Sequence, residues 1–235
     1  MINPPIWDSS IVDEEDRYIA EVKINGEIPK NSLLICSASK SAKFLLKGIV
    51  ADQKPVGTID VIINEVVNAY EYINGDKPQL SYFKTVQHQY YSINNATIII
   101  YNDINTDINL LVKSTFDFFK PQEVIVFDST HQSLYRSELE DIPSLFILST
   151  FQKNTVSPPN VVIGISAGFL TYSSAYNVKC TVYYLIEDNS GFSSQSMSLW
   201  AKIVTPMFHI EEERLIDAAI KKAVIASSHL NILYS

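Results

Sequence analysis

Glycine is scarce in this chain. There are 7 among 235 residues, with no G-x-G-x-x-G and no phosphate-cradling loop, so a dinucleotide site built on backbone amides is not expected. Cysteine is rarer still. Cys36 and Cys180 each sit inside an apolar run, which reads as two buried, reduced thiols and a reducing compartment. The four histidines (His88, His131, His209, His229) are scattered, and neither they nor the cysteines show metal-ligand spacing. No metal and no cofactor are expected. Basic clusters are missing as well: Lys221-Lys222 is the densest pair and the net charge is −8, which argues against a nucleic-acid surface. No apolar run approaches a membrane span, and Met1-Ile2-Asn3-Pro4-Pro5 has neither the basic region nor the apolar core of a secretory signal. The expected setting is the cytoplasm, with the nucleus also compatible.

What remains is the composition of an ordinary folded protein, 46% hydrophobic and 19% charged, of a length suited to one large domain. Residues 1–17, with paired prolines and the run Asp13-Glu14-Glu15-Asp16, read as an acidic arm. From Tyr18 to Ile24 apolar and polar residues alternate as in a half-buried strand. Leu33-Leu34-Ile35-Cys36 suits a buried strand, and Ser39-Lys40-Ser41 then opens a helix with one apolar stripe through Phe44, Leu45, Leu46, Ile49 and Val50. Thr58 to Val67 is strand or helix; periodicity does not decide. The Tyr-rich stretch Gln79–Ile93 and the apolar Ala96–Tyr101 pair as a hairpin if Asn94-Asn95 supplies the turn. Asp103 to Phe119 reads as an amphipathic helix stopped by Pro121, and Glu123 to Asp128 as a central strand.

Leu145–Leu148 and Val161–Ile165 read as two further short strands, separated by a loop containing Pro158-Pro159. Gly168–Tyr176 is expected to be helical, Lys179–Ile186 a strand, and Met197–Val204 and Glu211–Ser228 helices. In the last helix, three glutamates in the first turn and Lys221-Lys222 towards the far end complement the macrodipole. Strands alternating with helices predict an α/β fold, a mostly parallel central sheet with helices on both faces. The organisation expected is the arm (1–17), one α/β domain (18–229) and a tail (230–235), whose six residues span about 20 Å if extended.

One stretch has the form of a catalytic motif. Gly164-Ile165-Ser166-Ala167-Gly168 matches the G-x-S-x-G nucleophile elbow after an apolar run. Asp188 or Asp217 as the acid and His209 or His229 as the base follow in the right chain order, which makes an α/β-hydrolase-like esterase using Ser166 the alternative function. No HGGG-like stretch supplies an oxyanion hole, and small residues at a strand-to-helix turn also serve to let a helix pack closely on a sheet.

The ending carries the other signal. Ile232-Leu233-Tyr234-Ser235 has no polar, flexible trailer, although termini usually carry small polar residues. An apolar side chain, a phenol and a carboxylate in consecutive places form a compact recognition unit. The same residues also suit a staple folded back on the chain's own core. A PDZ-like groove is disfavoured as receptor, since it wants an apolar last side chain and Ser235 has none.

Three stretches together resemble a known family: Ser32–Cys36 through Lys47–Val50; Pro159–Val162 through Ala167–Tyr172 and on to Tyr183-Tyr184-Leu185; and Asn231–Ser235. The chain resembles the proteasome assembly chaperones that end in a hydrophobic–Tyr–any-residue (HbYX) motif. The likeness spans most of the chain, but only the tail is a sharp motif. It implies a three-layer α/β/α fold, no enzymatic activity, and a heterodimer with proteasome assembly chaperone 2 seated on the α-ring of the proteasome core particle during assembly. It also implies roles for the tail. Leu233 would fill a pocket between adjacent α subunits, Tyr234 would pack its ring and hydroxyl there, and Ser235, where Thr is usual, would direct its carboxylate to a lysine.

Overall fold

The computed structural model describes residues 17–68, 79–102, 108–136, 142–151, 160–188 and 193–232. The expected acidic arm (all but Arg17), the break at Gly75–Pro78, most of the Pro158 loop and Leu233-Tyr234-Ser235 lie outside the described residues.

One sheet organises the rest. Its strands are β1 (Arg17–Gly26), β2 (Leu33–Ser37), β3 (Gly57–Asn68), β4 (Gln79–Ile93), β5 (Ala96–Ile100), β6 (Glu123–His131), β7 (Ser144–Ser149) and β8 (Lys179–Glu187). They lie in the order β1-β3-β4-β5-β2-β6-β8-β7. Five helices accompany them among the described residues: α1 (Lys40–Ile49), α2 (Asn109–Phe119), α3 (Gly164–Ala175), α4 (Ser194–Phe208) and α5 (Glu212–Ile232).

Alternation along the central strands explains the layers. Leu34 and Cys36 of β2, with Val124 and Val126 of β6, join α2 and α3 in one core. Ile35, Ile125 and Phe127 point the other way and join α1, α4 and α5 in a second. Strands buried on both faces read as continuous apolar runs, as β2, β5 and β6 do. The α/β/α expectation holds. The sheet itself is mixed. β5-β2-β6-β8 pair in parallel, whereas β1-β3, β3-β4, β4-β5 and β7-β8 are antiparallel. The expected mostly parallel character is confined to the centre, because β3, β4 and β5 follow one another as hairpins and need no helical crossover.

Local chemistry sets several boundaries. Asn94-Asn95 does turn β4 into β5, with Asn94 at φ 52° and Ile93 opposite Ala96. Ser39 caps α1, its Oγ accepting from the Ala42 N–H at 3.3 Å. Lys120, at φ 47° before Pro121, ends α2. The ambiguous run 58–67 is strand, paired on both sides. α5 runs on to Ile232, so residues 230–232, expected to open an extended tail, are helical.

One expectation fails where it matters for function. Residues 160–163 form no strand, and α3 begins at Gly164, four residues before its expected start. Gly168 serves packing: a Cβ there would lie 2.9 Å from Val112 Cγ2, so α3 sits against α2 more closely than a side chain at this position would allow.

Candidate functional site

Two sets of residues compete for the functional role. The tail set, Leu233, Tyr234 and Ser235, lies outside the described residues; α5 leads directly to it. α5 is anchored at its start: Arg214 Nη2 stands 3.3 Å from Asp52 Oδ2, and Leu215 and Ala219 pack at Gly48 of α1.

The second set centres on Ser166, and the structure places it as a buried polar joint. Ser166 lies in the first turn of α3 and is fully buried. The left-handed residue of the Gly164–Gly168 stretch is Gly164, at φ 67°, and not the serine that an elbow would strain. Ser166 Oγ donates to Asp128 Oδ2 at 2.6 Å, and the Ser129 N–H donates to Asp128 Oδ1 at 2.8 Å. Asp128 stands near the end of β6, opposite Tyr184 of β8. α3 has no side-chain cap and no acidic residue in its first turn, so the Asp128 carboxylate is the negative charge facing that helix end. Burial pushes the Asp128 carboxyl up from 3.8 to about 6, with the Ser166 and Ser129 hydrogen bonds opposing the rise and the Glu187 charge adding to it.

Among the described residues the expected triad does not assemble. His209 is the left-handed cap of α4, exposed, beside Leu33, Asn94 and Ala96, where β2 and β5 begin. Asp128 instead follows Phe127, which pairs with Ser37 where β2 ends. The base and the serine therefore sit at opposite ends of the sheet. Asp217 is exposed on α5, whose helix packs on the other face from α3. Asp188 follows β8 and its carbonyl oxygen lies 3.4 Å from His131 Nδ1. The His229 side chain is outside the described residues. With no strand at residues 160–163, no adjacent imidazole among the described residues and a buried hydroxyl already donating to a carboxylate, Ser166 lacks the geometry of a nucleophile elbow.

A cleft of about 510 Å³ opens beside this joint, at the carboxyl ends of the parallel strands where open α/β sheets usually place ligands. Asp128, Tyr135, Tyr184 and Ile165 line its interior and Leu134, Val161 and Ile163 its rim. Sequence reasoning missed Asp128. Its only signal was a lone carboxylate at the end of the apolar run Val124–Phe127, and its partner lies 38 residues away. Elsewhere His88 is buried with Nδ1 accepting from the Asn102 N–H at 2.9 Å; burial pushes its pKa down from 6.5 to about 4. Among the described residues no group of three or more His, Cys, Asp and Glu is placed to hold a metal, and no helix is long and apolar enough to cross a membrane.

No family model and no curated protein sequence matches the chain. Solved structures do. PbaA of Pyrococcus furiosus, an archaeal homolog of proteasome-assembly chaperone, superposes with a TM-score of 0.59 at 12% identity, over 91% of this chain and 96% of that one. PbaB of the same organism, an archaeal proteasome activator, gives 0.57 at 12% identity over 88% and 98%. A proteasome-assembly chaperone homologue of Mycobacterium tuberculosis gives 0.51 at 8% identity over 83% and 94%. Identities this low establish a common architecture, and this chain therefore shares the α/β/α fold of proteasome-assembly chaperone homologues.

Proposed function

We propose that the chain is a proteasome assembly chaperone, acting in the part of proteasome assembly chaperone 1. The observation that carries this reading is the shared fold with PbaA over nine-tenths of both chains. The hydrophobic–Tyr–Ser ending adds to it, and the buried Ser166, already donating to Asp128, weighs against the competing esterase. The role is binding, not catalysis. In this reading the chain pairs with proteasome assembly chaperone 2, works in the cytoplasm, and promotes formation of the α-ring of the core particle. Leu233 fills a pocket between adjacent α subunits, Tyr234 packs its ring and offers its hydroxyl, and the Ser235 carboxylate meets a lysine there.

The physical logic is that of two weak contacts. One inserted peptide gives modest affinity, and a partner chain bringing a second contact adds avidity without a tight single site. A chaperone that must leave the finished particle gains from that arrangement. The test is a pulldown of α-ring intermediates by the heterodimer with both tails, with one, or with neither. Stepwise loss with retained folding is the expected result. Undiminished capture by the tail-less pair would refute tail docking, and capture of no proteasome subunit by any form would refute the chaperone role.

A further inference from the structure

The cleft beside Asp128 has a composition that selects one kind of ligand. Its interior holds a carboxylate that is 8% exposed, and among the described residues each of its oxygens accepts one hydrogen bond, one from Ser166 and one from Ser129. A carboxylate oxygen can accept more than one, so both keep acceptor capacity. Tyr184, opposite Asp128 on β8, and Tyr135 supply aromatic wall. The rim is apolar and left in water: Leu134 is 70% exposed, Val161 70% and Ile163 73%. A ligand lying on this rim would close over Asp128. If it lacked a donor it would bury an ionised group under apolar cover, which is costly. An anionic ligand would meet the charges of both Asp128 and Glu187, which already act on each other. The positive end of α3, which would otherwise invite an anion, is faced by Asp128 itself. Arg136, at the mouth, is exposed, and its backbone N–H is held by Asn160 Oδ1 at 2.7 Å.

We propose that this cleft binds an alkyl cation, a guanidinium or ammonium group on an aliphatic stem, with Asp128 as counter-ion and Leu134, Val161 and Ile163 covering the stem. Long cationic side chains bind in this way, apolar stem on apolar surface and head on a charge or an aromatic face. The proposal assigns no chemistry to Ser166, which holds Asp128 in place. It also stands independently of proteasome binding.

The test is a titration of the intact chain, followed by amide NMR at Gly164, Ile165 and Ser129, with four probes: agmatine, butylamine, butyramide and a blocked Gly-Arg-Gly peptide. Agmatine and butylamine are expected to shift these amides saturably, and the neutral butyramide at least tenfold more weakly. Asp128→Asn, which can keep a hydrogen bond to Ser166, should abolish the preference for cations. Ile163→Ser, at an exposed site where folding is not at stake, should weaken agmatine by about three- to tenfold through lost stem contact. Tighter binding of the peptide than of agmatine would identify the cation as a side chain of a polypeptide, and the reverse as a free small molecule. Equal binding of butyramide and butylamine, no saturable shift with any cation, or unchanged cation binding in folded Asp128→Asn would each overturn the proposal.

Discussion

The two faces of the sheet each bury an extensive apolar cluster and differ in how many polar groups cross it. The face under α1, α4 and α5 is closed by Ile35, Leu45, Leu46, Phe127 and Leu215 around a fully buried Trp200, whose ring meets Phe127 edge-on at 6.0 Å. The face under α2 and α3 carries polar joints through its core. Tyr101 Oη and Thr115 Oγ1 are 2.9 Å apart, Thr115 Oγ1 donates to the Leu111 carbonyl at 2.8 Å, and Ser166 donates to Asp128. The first face is held mainly by exclusion of water, with a polar contact at its outer layer, where Ser198 Oγ donates to Glu212 Oε1 at 2.7 Å between α4 and α5. The second spends part of its burial on fixing directions, and that is the face with a cleft. A buried polar pair adds little net stability but specifies where its two elements meet.

The largest effect that separates the faces is cavity formation. Trp200→Ala should cost about 3–5 kcal/mol in denaturant unfolding. Tyr176→Ala, at an exposed ring stacked 6.0 Å from Phe116 on the other face, should cost about 1 kcal/mol or less. Similar losses would mean that the closed face is not the main source of stability.

Acid response is the next contrast, this time within the α2/α3 face, where His88 meets Tyr101 and Asp128 stands opposite Tyr184. His88 is neutral in the fold and protonates more readily when unfolded, so its contribution is complete above pH 6.5 and is lost as pH falls towards about 4. Asp128 has the opposite sign. Its raised pKa means that stability is greatest below pH 3.8 and falls as pH rises through about 6. The two slopes therefore oppose each other between pH 4 and 6. Asp128→Asn should expose the His88 slope, with unfolding midpoints dropping steeply on acidification. His88→Gln should expose the reverse slope. Parallel pH profiles for wild type and Asp128→Asn would contradict the burial assigned to Asp128.

Smaller still is the glycine comparison. Gly168→Ala should destabilise by about 1–2 kcal/mol, because its Cβ would lie 2.9 Å from the stiff, β-branched Val112. At Gly48 the nearest atoms are the end of Leu215, at 3.1 Å, and the α5 backbone at Leu215 and Ala219, at 3.3 Å, all farther than the 2.9 Å met at Gly168. Gly48→Ala should therefore cost less, its better helix propensity offsetting part of the crowding. Thermal melts of the two variants would rank them.

Much of this architecture is legible in the chain, and the failures have physical causes. The Asn94-Asn95 turn and the Ser39 cap are local, so the residues that make them lie together in sequence. Val161–Ile165 reads as a strand because it is apolar. Yet Val161 and Ile163 are exposed at the rim of a cleft, and hydrophobicity does not say whether a side chain is in a core or on a lip. Thr58–Val67 stayed ambiguous for the same reason, since an apolar run carries no period. The mixed sheet was missed because alternation of strands and helices outweighed the hairpin signals that the chain also contains. The Asp128–Ser166 joint is invisible to any local pattern. The tail is the converse case, plain in sequence as Leu233-Tyr234-Ser235 and outside the described residues.

The proposed docking to the proteasome rests on those three residues. Its most direct test is an equilibrium titration of purified proteasome core particle with the chain, intact and ending at Ile232, each with its partner chaperone and each checked for native melting. Tail docking should make the shortened chain at least tenfold weaker with its melting temperature unchanged. Equal affinities for the two forms would contradict the account and move the proteasome contact to the folded domain.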